Sequence, residues 1–125
     1  FQIYMGEDDN YTPPEPCVQM VSEINDGGGD ATITLYPRSF HSFDGPISLR
    51  LMPDAYSWNN CKFKLNAVTK KVYDPINPDL EFSDPTARKS AYRSCAVKGD
   101  VMAGYSPEYK NAAYEDLDKL LPSLR

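Results

Sequence analysis

Residues 1–36 read FQIYMGEDDNYTPPEPCVQMVSEINDGGGDATITLY, and this stretch decides the fold of the 125-residue chain. It opens on a short apolar run of β-prone residues, 1–5, which Gly6 closes. It ends on residues 31–36, where threonines alternate with Ile and Leu as they do in a strand. The pattern therefore predicts one strand at each end of the stretch.

The segment between these two strands has the features of a helix. Thr12 matches an N-cap with Glu15 three residues later, and the two prolines between them suit a first helical turn. Three glycines at 27–29 end the helix. The apolar residues at helical spacing are Cys17, Val18, Met20, Val21 and Ile24. Strand, helix and strand together predict a parallel βαβ unit in residues 1–44, and hence an α/β fold.

The rest of the chain divides into an irregular segment and a closing turn and helix. Residues 45–98 contain five prolines and no sustained period, so we predict short strands at most, with 47–52 and 62–68 as candidates. This segment would form a lid or an edge hairpin. Within residues 99–125, Ser106 and Pro107 match an N-cap and a first turn. The apolar face of the helix that follows comprises Tyr109, Ala112, Ala113, Leu117, Leu120 and Leu121.

Composition and charge narrow the classes of function. The chain is 41% hydrophobic, and its length suits one ordinary domain. The net charge of -5 argues against nucleic acid or an anionic membrane surface as a partner. No apolar run approaches the roughly 20 residues that a membrane helix needs, so we expect a soluble protein whose compartment stays open. Of the three cysteines, Cys61 and Cys95 are the candidate pair for a bridge, while free thiols are the favoured interpretation.

Two side chains of complementary chemistry follow the two predicted strands. Asp9 lies four residues beyond the first strand, and His41, the only histidine, lies five residues beyond the second. Parallel strands joined by a helix end at the same edge of the sheet, where ligand sites of open α/β sheets lie. A carboxylate beside an imidazole fixes its tautomer and stabilises the imidazolium. We therefore predict that Asp9 and His41 meet, while Asp8 points to solvent or to the helix start; an ordinary surface or core histidine is the alternative.

The same residues resemble those of a known family. Residues 6–13, GEDDNYTP, resemble the G-x-x-D-x-x-x-P turn of the dienelactone hydrolases, with the catalytic aspartate at Asp9. Residues 36–43, YPRSFHSF, resemble the histidine loop of that family, with the catalytic histidine at His41. The Gly104-Tyr105 pair and the helix after it are similar to the family's closing helix. The resemblance implies that residues 1–125 are the C-terminal part of one α/β-hydrolase domain.

The resemblance also implies an activity, the hydrolysis of an ester, lactone or related acyl substrate without a metal or organic cofactor. No G-x-S-x-G or G-x-C-x-G occurs in the chain, so the Ser or Cys nucleophile would lie outside it. We expect a missing N-terminal half as partner, on the same or a separate chain, and self-association through an open strand edge. Arg38 is a candidate for substrate binding, since Gly45 stands where the family's usual members hold a substrate carboxylate with arginine. Tyr11 is a second candidate, because it follows Asp9 closely and an amphipathic ring suits the lining of a cleft.

Two other classes of function stay open at this point. The chain could be a non-catalytic fragment or homologue that keeps the fold and serves as an interaction module. It could also be an independent small α/β binding domain with no relation to hydrolases. A G-x-S-x-G or G-x-C-x-G sequence upstream would favour the enzyme, and its absence would favour the other two classes.

Overall fold

The computed structural model describes residues 1–66 and 68–124, which form three α-helices, six strands and a short 3-10 helix. These described residues fall into two compact units: unit 1 comprises Phe1–Pro53 and the described residues from Asp100 onward, and unit 2 comprises the described residues between Asp54 and Gly99. The elements in chain order are β1 (Gln2–Gly6), α1 (Glu15–Asp26), β2 (Thr32–Tyr36), β3 (Arg50–Ser57), β4 (Lys64–Leu65), β5 (Val72–Tyr73), α2 (Pro85–Cys95), β6 (Val97–Ala103), α3 (Pro107–Leu120) and the 3-10 helix (Leu121–Leu124).

The predicted βαβ unit is present at the start of unit 1. Strands β1 and β2 pair in parallel, with Gln2 opposite Thr32 and Gly6 opposite Tyr36. Asn25, near the end of α1, fixes the start of β2, because its amide donates to the Ala31 carbonyl and accepts from the Ala31 N–H, both at 2.9 Å. The α/β class predicted from the sequence is therefore confirmed.

Helix α1 begins later than predicted. Its N-cap is Pro14, so the N-cap assigned to Thr12 is wrong. Pro14, two residues ahead of Thr12, has no N–H to donate, and the Thr12 hydroxyl bonds Asp9 and His41 instead of the helix start. Only Val21 of the predicted apolar stripe is fully buried; Cys17 and Ile24 are half-buried, and Val18 and Met20 are exposed.

The core of unit 1 is an aromatic layer between β2 and α3. Tyr36, Phe43 and Ala113 are buried, and the Tyr36 ring lies 5.1 Å from Phe43 between centroids. Tyr4, Tyr109 and Ala112 pack against this cluster. Helix α3 starts at Pro107 after Ser106, as predicted, although the Ser106 side chain makes no capping hydrogen bond. Of the predicted apolar face, Leu117 and Leu121 remain exposed.

Two glycines allow backbone segments to meet beside the loops that carry Asp9 and His41. A Cβ at Gly6 would collide with the backbone carbonyl of Ser39, which accepts the Asp8 N–H at 3.0 Å. Gly104 has a φ of +137°, a conformation that favours glycine. Its N–H donates to the His41 carbonyl at 2.8 Å, and a side chain there would collide with the backbone of residues 48 and 49.

Unit 2 contains a disulfide between Cys61 and Cys95, whose Cα atoms are 5.0 Å apart. The bridge joins the pair named as the candidate, so the favoured interpretation of free thiols is wrong for these two cysteines, and Cys17 in unit 1 is free. The two cysteines are 34 residues apart in sequence, and their pairing depends on the position of α2, which the sequence did not predict.

The rings of Phe63, Phe82 and Tyr92 form an edge-to-face cluster in unit 2, with centroids between 4.7 and 6.4 Å apart. Trp58 joins the cluster through Tyr92, at 6.1 Å between centroids. Aromatic pairs in such edge-on geometry add to the stabilisation that burial gives. Trp58 and Tyr92 are exposed, so unit 2 combines a covalent link with a small, partly exposed aromatic cluster.

The segment 45–98 is more regular than its prolines indicated. The strand predicted at 47–52 is β3, shifted towards the C-terminus, and β4 occupies only two residues of the predicted strand at 62–68, of which Ala67 lies outside the described residues. Helix α2 and strand β6 were not predicted. Strands β3 and β6 pair with each other.

Helix α2 has a clear start but no apolar stripe. Asp84, within the segment predicted to be irregular, is its N-cap: the carboxylate accepts the Thr86 N–H at 2.9 Å, and Pro85 occupies the first turn. Within the helix only Ala91 is buried. A helix with a single small buried residue shows no hydrophobic period in its sequence, and the capping signal alone marks its position.

Candidate functional site

Asp9 is held by the loop to which it belongs. Its Oδ1 accepts the backbone N–H groups of Tyr11 and Thr12 at 2.9 and 2.8 Å. Its Oδ2 accepts the Thr12 hydroxyl at 3.2 Å. Asp side chains commonly bond the backbone two residues on in this way, and such bonds fix the carboxylate rotamer. Asp9 is only 8% exposed. These hydrogen bonds therefore set the direction in which the carboxylate oxygens can accept further bonds.

Asn10 ties this loop to β6. Its side-chain amide donates to the Asp100 carbonyl at 3.1 Å and accepts the Met102 N–H at 3.0 Å. The amide thus binds the strand much as a neighbouring strand would. The position of the Asp9 carboxylate consequently depends on a contact between segments about 90 residues apart in sequence.

The loop that carries His41 is bound to the segment that leads into α3. The His41 and Phe43 carbonyls accept the N–H groups of Gly104 and Ser106 at 2.8 and 2.9 Å. His41 also forms a parallel bridge with Ala103. The backbone on both sides of the imidazole is therefore fixed by hydrogen bonds within unit 1.

The two loops bring Asp9 and His41 together. His41 Nδ1 lies 3.0 Å from Asp9 Oδ2, and the imidazole is about one-third exposed, at 34%. The geometric expectation from the parallel strands is therefore met, and Asp8, which is exposed, is not the partner. A carboxylate at this distance calls for a proton on Nδ1, which leaves the Nε2 lone pair of the neutral ring as an acceptor.

Thr12, predicted to cap α1, is a third member of this cluster. Its Oγ1 lies 2.9 Å from His41 Nδ1 in addition to its contact with Asp9. The T-x-x-E pattern that indicated a capping box was a coincidence of spacing. The signal that could have identified the role of Thr12 is its place three residues after Asp9, within the turn that the Asp9 side chain closes.

The two predicted substrate-binding residues occupy different places. The Tyr11 ring contacts the His41 imidazole edge-on, with 4.8 Å between centroids and an angle of 87°. Arg38 is exposed and donates to the Tyr109 hydroxyl at 3.4 Å, a contact that raises the pKa of Arg38. Arg38 lines a separate pocket of about 350 Å³ together with Phe40 and Tyr105.

A cleft of about 440 Å³ opens beside Asp9 and His41. It lies between the C-terminal end of β1 and the face of α3, and its described lining includes no lysine or arginine. Its apolar walls are formed by Tyr4, Met5, Phe43, Ala113, Tyr114 and Leu117, and its polar side chains are those of Asp9, Thr12, His41, Ser42 and Asp44. A concave apolar surface with a few convergent polar groups is the usual form of a small-molecule site.

A hydrogen-bonded group attaches α3 to the sheet behind the cleft. The Tyr36 hydroxyl donates to Asp116 Oδ2 at 2.9 Å, and Lys119 Nζ lies 3.0 Å from Asp116 Oδ1. Burial raises the pKa of Tyr36 strongly, and the bond to Asp116 adds to this effect. The bonds from Lys119 and Tyr36 lower the pKa of Asp116.

Neither a metal-binding cluster nor a membrane-spanning helix is found within residues 1–66 and 68–124. No group of three or more His, Cys, Asp or Glu side chains in that part of the chain is arranged to hold a metal ion. None of the helices described there combines the length and apolar character that crossing a membrane requires. Comparisons with protein-family models, curated proteins and solved structures find no match to this chain. Function is therefore inferred from the geometry of Asp9 and His41.

Proposed function

We propose that this chain supplies the histidine and the aspartate of a Ser/Cys-His-Asp triad in a hydrolase of esters, lactones or related acyl substrates. The nucleophile would lie outside these 125 residues. The observation that carries the proposal is the 3.0 Å contact between His41 Nδ1 and Asp9 Oδ2, on loops that follow two parallel strands. In α/β-hydrolases the acid precedes the histidine in the chain, as Asp9 precedes His41.

In this mechanism His41 moves protons and Asp9 orients it. Nε2 takes the proton of the Ser or Cys as the oxygen or sulfur attacks the substrate carbonyl carbon. The imidazolium then gives that proton to the leaving group as its bond to the acyl carbon breaks. Water attacks the acyl-enzyme and transfers a proton to Nε2, and the nucleophile recovers this proton as the acid product leaves. Asp9 stays ionised throughout and stabilises each imidazolium.

The cleft favours neutral acyl groups over substrates that carry a carboxylate. Arg38 lines a different pocket, and position 45, where the family's usual members have an arginine, is a glycine. Asp9 and Asp44 are among the residues that line the cleft, and negative charge on them would repel an anionic substrate. We therefore propose that the chain is the C-terminal part of the α/β-hydrolase domain of a member of the dienelactone hydrolase family. We also propose that the substrate of this enzyme is not a lactone that carries a carboxylate.

The open edge of β1 offers a place for the segment that carries the nucleophile. Among the described residues β1 pairs only with β2. Parallel sheets are normally interior and bounded by further strands, and an unpaired apolar edge invites pairing. We propose that the N-terminal half of the domain, on the same or a separate chain, covers this edge.

In the absence of that half, the 125-residue chain should self-associate through the open edge of β1. Light scattering measures this, and a monomer over a wide concentration range would contradict the prediction.

The experiment that tests the proposed function compares two adjacent aspartates in the protein that contains both this chain and the nucleophile. With neutral p-nitrophenyl esters as substrates, Asp9→Asn should lower kcat by roughly 10⁴-fold, because the amide no longer enforces the productive tautomer. Asp8→Asn is the matched control, since the Asp8 side chain is exposed, and it should change kcat little. Equal losses would identify the acidic turn as structural.

The same assay separates the enzyme from the interaction module. A folded native protein that carries a G-x-S-x-G or G-x-C-x-G segment should hydrolyse at least one neutral ester. Absence of turnover across a panel of acyl chain lengths and lactones, in a protein whose fold is intact, would support the non-catalytic alternative.

A further inference from the structure

The feature that carries a further inference is the triangle formed by three polar atoms. Thr12 Oγ1 lies 2.9 Å from His41 Nδ1 and 3.2 Å from Asp9 Oδ2, and the third side, from Nδ1 to Oδ2, is 3.0 Å. Each atom is within hydrogen-bond distance of both others. Catalysis as proposed needs only the contact between Asp9 and His41, so the hydroxyl is an additional member.

The protons available to these atoms allow two arrangements. In the first, the ring carries its proton on Nδ1, which faces both Oδ2 and Oγ1, while the hydroxyl donates to the carboxylate. In the second, the hydroxyl donates to an unprotonated Nδ1, and the ring proton is on Nε2. The second arrangement sets the Nδ1 lone pair against an ionised carboxylate oxygen at 3.0 Å with no hydrogen between them. In the first arrangement the single Nδ1–H is shared between Oδ2 and Oγ1, and no two lone pairs face each other without a hydrogen between them.

The backbone holds the hydroxyl where the first arrangement needs it. The Thr12 N–H donates to Asp9 Oδ1 at 2.8 Å, so the residue is bound to the carboxylate through its main chain as well. Pro13 restricts the backbone of the residue before it to extended conformations, and a β-branched side chain has few χ1 rotamers. The orientation of the hydroxyl is therefore set by local sequence.

We propose that Thr12 is a positioning residue: by donating to Asp9 and accepting from Nδ1, its hydroxyl favours the Nδ1–H tautomer of His41. The Nε2 lone pair is then available on the side of the ring away from Asp9. The importance of this tautomer for turnover rests on the proposed function. The tautomer itself is a property of the chain and is measured without any substrate.

Nitrogen NMR of the imidazole is the test, because His41 is the only histidine and its two ring nitrogens are unambiguous. The spectrum of the 15N-labelled native chain is recorded with the imidazole in its neutral form. The single ring N–H proton should then reside mainly on Nδ1. Thr12→Val keeps the shape and the backbone bond but removes the hydroxyl. It should lower the ratio of the Nδ1–H to the Nε2–H tautomer roughly threefold to tenfold, the equivalent of one net hydrogen bond.

Thr12→Ser is the rescue variant, since it retains the hydroxyl, and its tautomer ratio should stay within about twofold of the native value. If Thr12 only stabilised the loop, the tautomer ratio would not fall in Thr12→Val and return to the native value in Thr12→Ser. If Thr12→Val shifts nothing while its amide spectrum stays native, the proposal is wrong. If that variant fails to fold, Thr12→Ala, which also lacks the hydroxyl, replaces it with the same expected decrease, and a proton mainly on Nε2 in the native chain overturns the proposal.

These outcomes are independent of the proposed function. A native tautomer on Nδ1 that depends on Thr12, in a protein that hydrolyses no ester, would leave the positioning role standing and remove the enzyme. If ester hydrolysis depends on Asp9 but the tautomer ratio is unchanged in Thr12→Val, the proposed enzyme stands and the positioning role of Thr12 is removed.

Discussion

Different kinds of interaction stabilise the interior of unit 1 and the interior of unit 2. In unit 1, parallel pairing of β1 with β2 and a set of backbone hydrogen bonds fix two loops, and their side chains meet at 3.0 Å. In unit 2, a disulfide and four aromatic rings hold short strands and a helix with little apolar burial. Unit 1 therefore specifies the positions of individual atoms, while unit 2 is restrained mainly by a covalent link. Variants in the two units should fail in different ways.

The largest difference concerns turnover. In the protein that includes the nucleophile, His41→Ala should lower kcat by roughly 10⁴-fold or more, because it removes the only group proposed to carry the proton. The thermal unfolding of the variant should stay close to that of the native protein. The matched variant in unit 2, Cys61→Ser with Cys95→Ser, should retain ester hydrolysis at temperatures where it is folded. Stopped assays with p-nitrophenyl esters measure the turnover of both variants. Turnover that is lost in the double cysteine variant but kept in His41→Ala would contradict the assignment of the chemistry to unit 1.

The next effect is on the stability of unit 2. Opening a disulfide that joins residues 34 apart should destabilise the region around it, and such bonds contribute about 2–4 kcal/mol. Hydrogen exchange followed by mass spectrometry, with and without a reductant, would locate the change. Faster exchange should be confined to residues 54–99, while the peptides that contain Asp9 and His41 keep their protection. Uniformly faster exchange would show that the two units unfold as one.

A smaller effect is expected for the glycine at the end of β1. Gly6→Ala places a methyl group against the Ser39 carbonyl and should destabilise unit 1 by about 2–3 kcal/mol. Gly99→Ala is the control, because a Cβ there meets nothing within 4 Å. Its effect should stay within about 0.5 kcal/mol. Denaturant unfolding of both variants measures the difference, and equal stabilities would mean that the approach of β1 to the His41 loop is not tight.

The smallest effect is a dependence of unit 1 stability on pH. The folded protein lowers the pKa of Asp116, so this carboxylate stabilises unit 1 above its unfolded pKa of about 3.9, and the contribution disappears as the pH falls further. The fold raises the pKa of Tyr36, so the contribution of this phenol is complete below about pH 10 and is lost at higher pH. Asp116→Asn should lower Tm at pH 7 and have no effect near pH 2. A constant difference across this range would contradict the assignment.

The parts of the structure that the sequence predicted depend on local periodicity and on topology. Strands at both ends of residues 1–36 follow from apolar patterns, and a parallel βαβ unit brings Asp9 and His41 to one edge whatever the details of packing. Side chains that act through hydrogen bonds are harder to place. Thr12 matches an N-cap by spacing, yet its hydroxyl bonds Asp9 and His41, which only the folded loops reveal.

The parts that the sequence did not predict lie mainly in unit 2. Helix α2 buries only Ala91, so it leaves no hydrophobic period, and its start at Asp84-Pro85 is a short signal among many prolines. The bridge between Cys61 and Cys95 depends on that helix, which brings Cys95 near the segment after β3. Pairing of cysteines is a property of three-dimensional proximity, so the sequence named Cys61 and Cys95 as the candidate pair but favoured free thiols over the bridge that forms.

The most direct test of the role of His41 is to trap the acyl-enzyme. The protein that contains this chain and its nucleophile is mixed with a p-nitrophenyl ester, quenched in acid during turnover, and digested for peptide mass spectrometry. We expect the acyl group on a Ser or Cys outside residues 1–125, with labelling lost in His41→Ala and strongly reduced in Asp9→Asn. An acyl group on a residue within 1–125, or equal labelling in the His41→Ala protein, would show that Asp9 and His41 do not form the proposed triad.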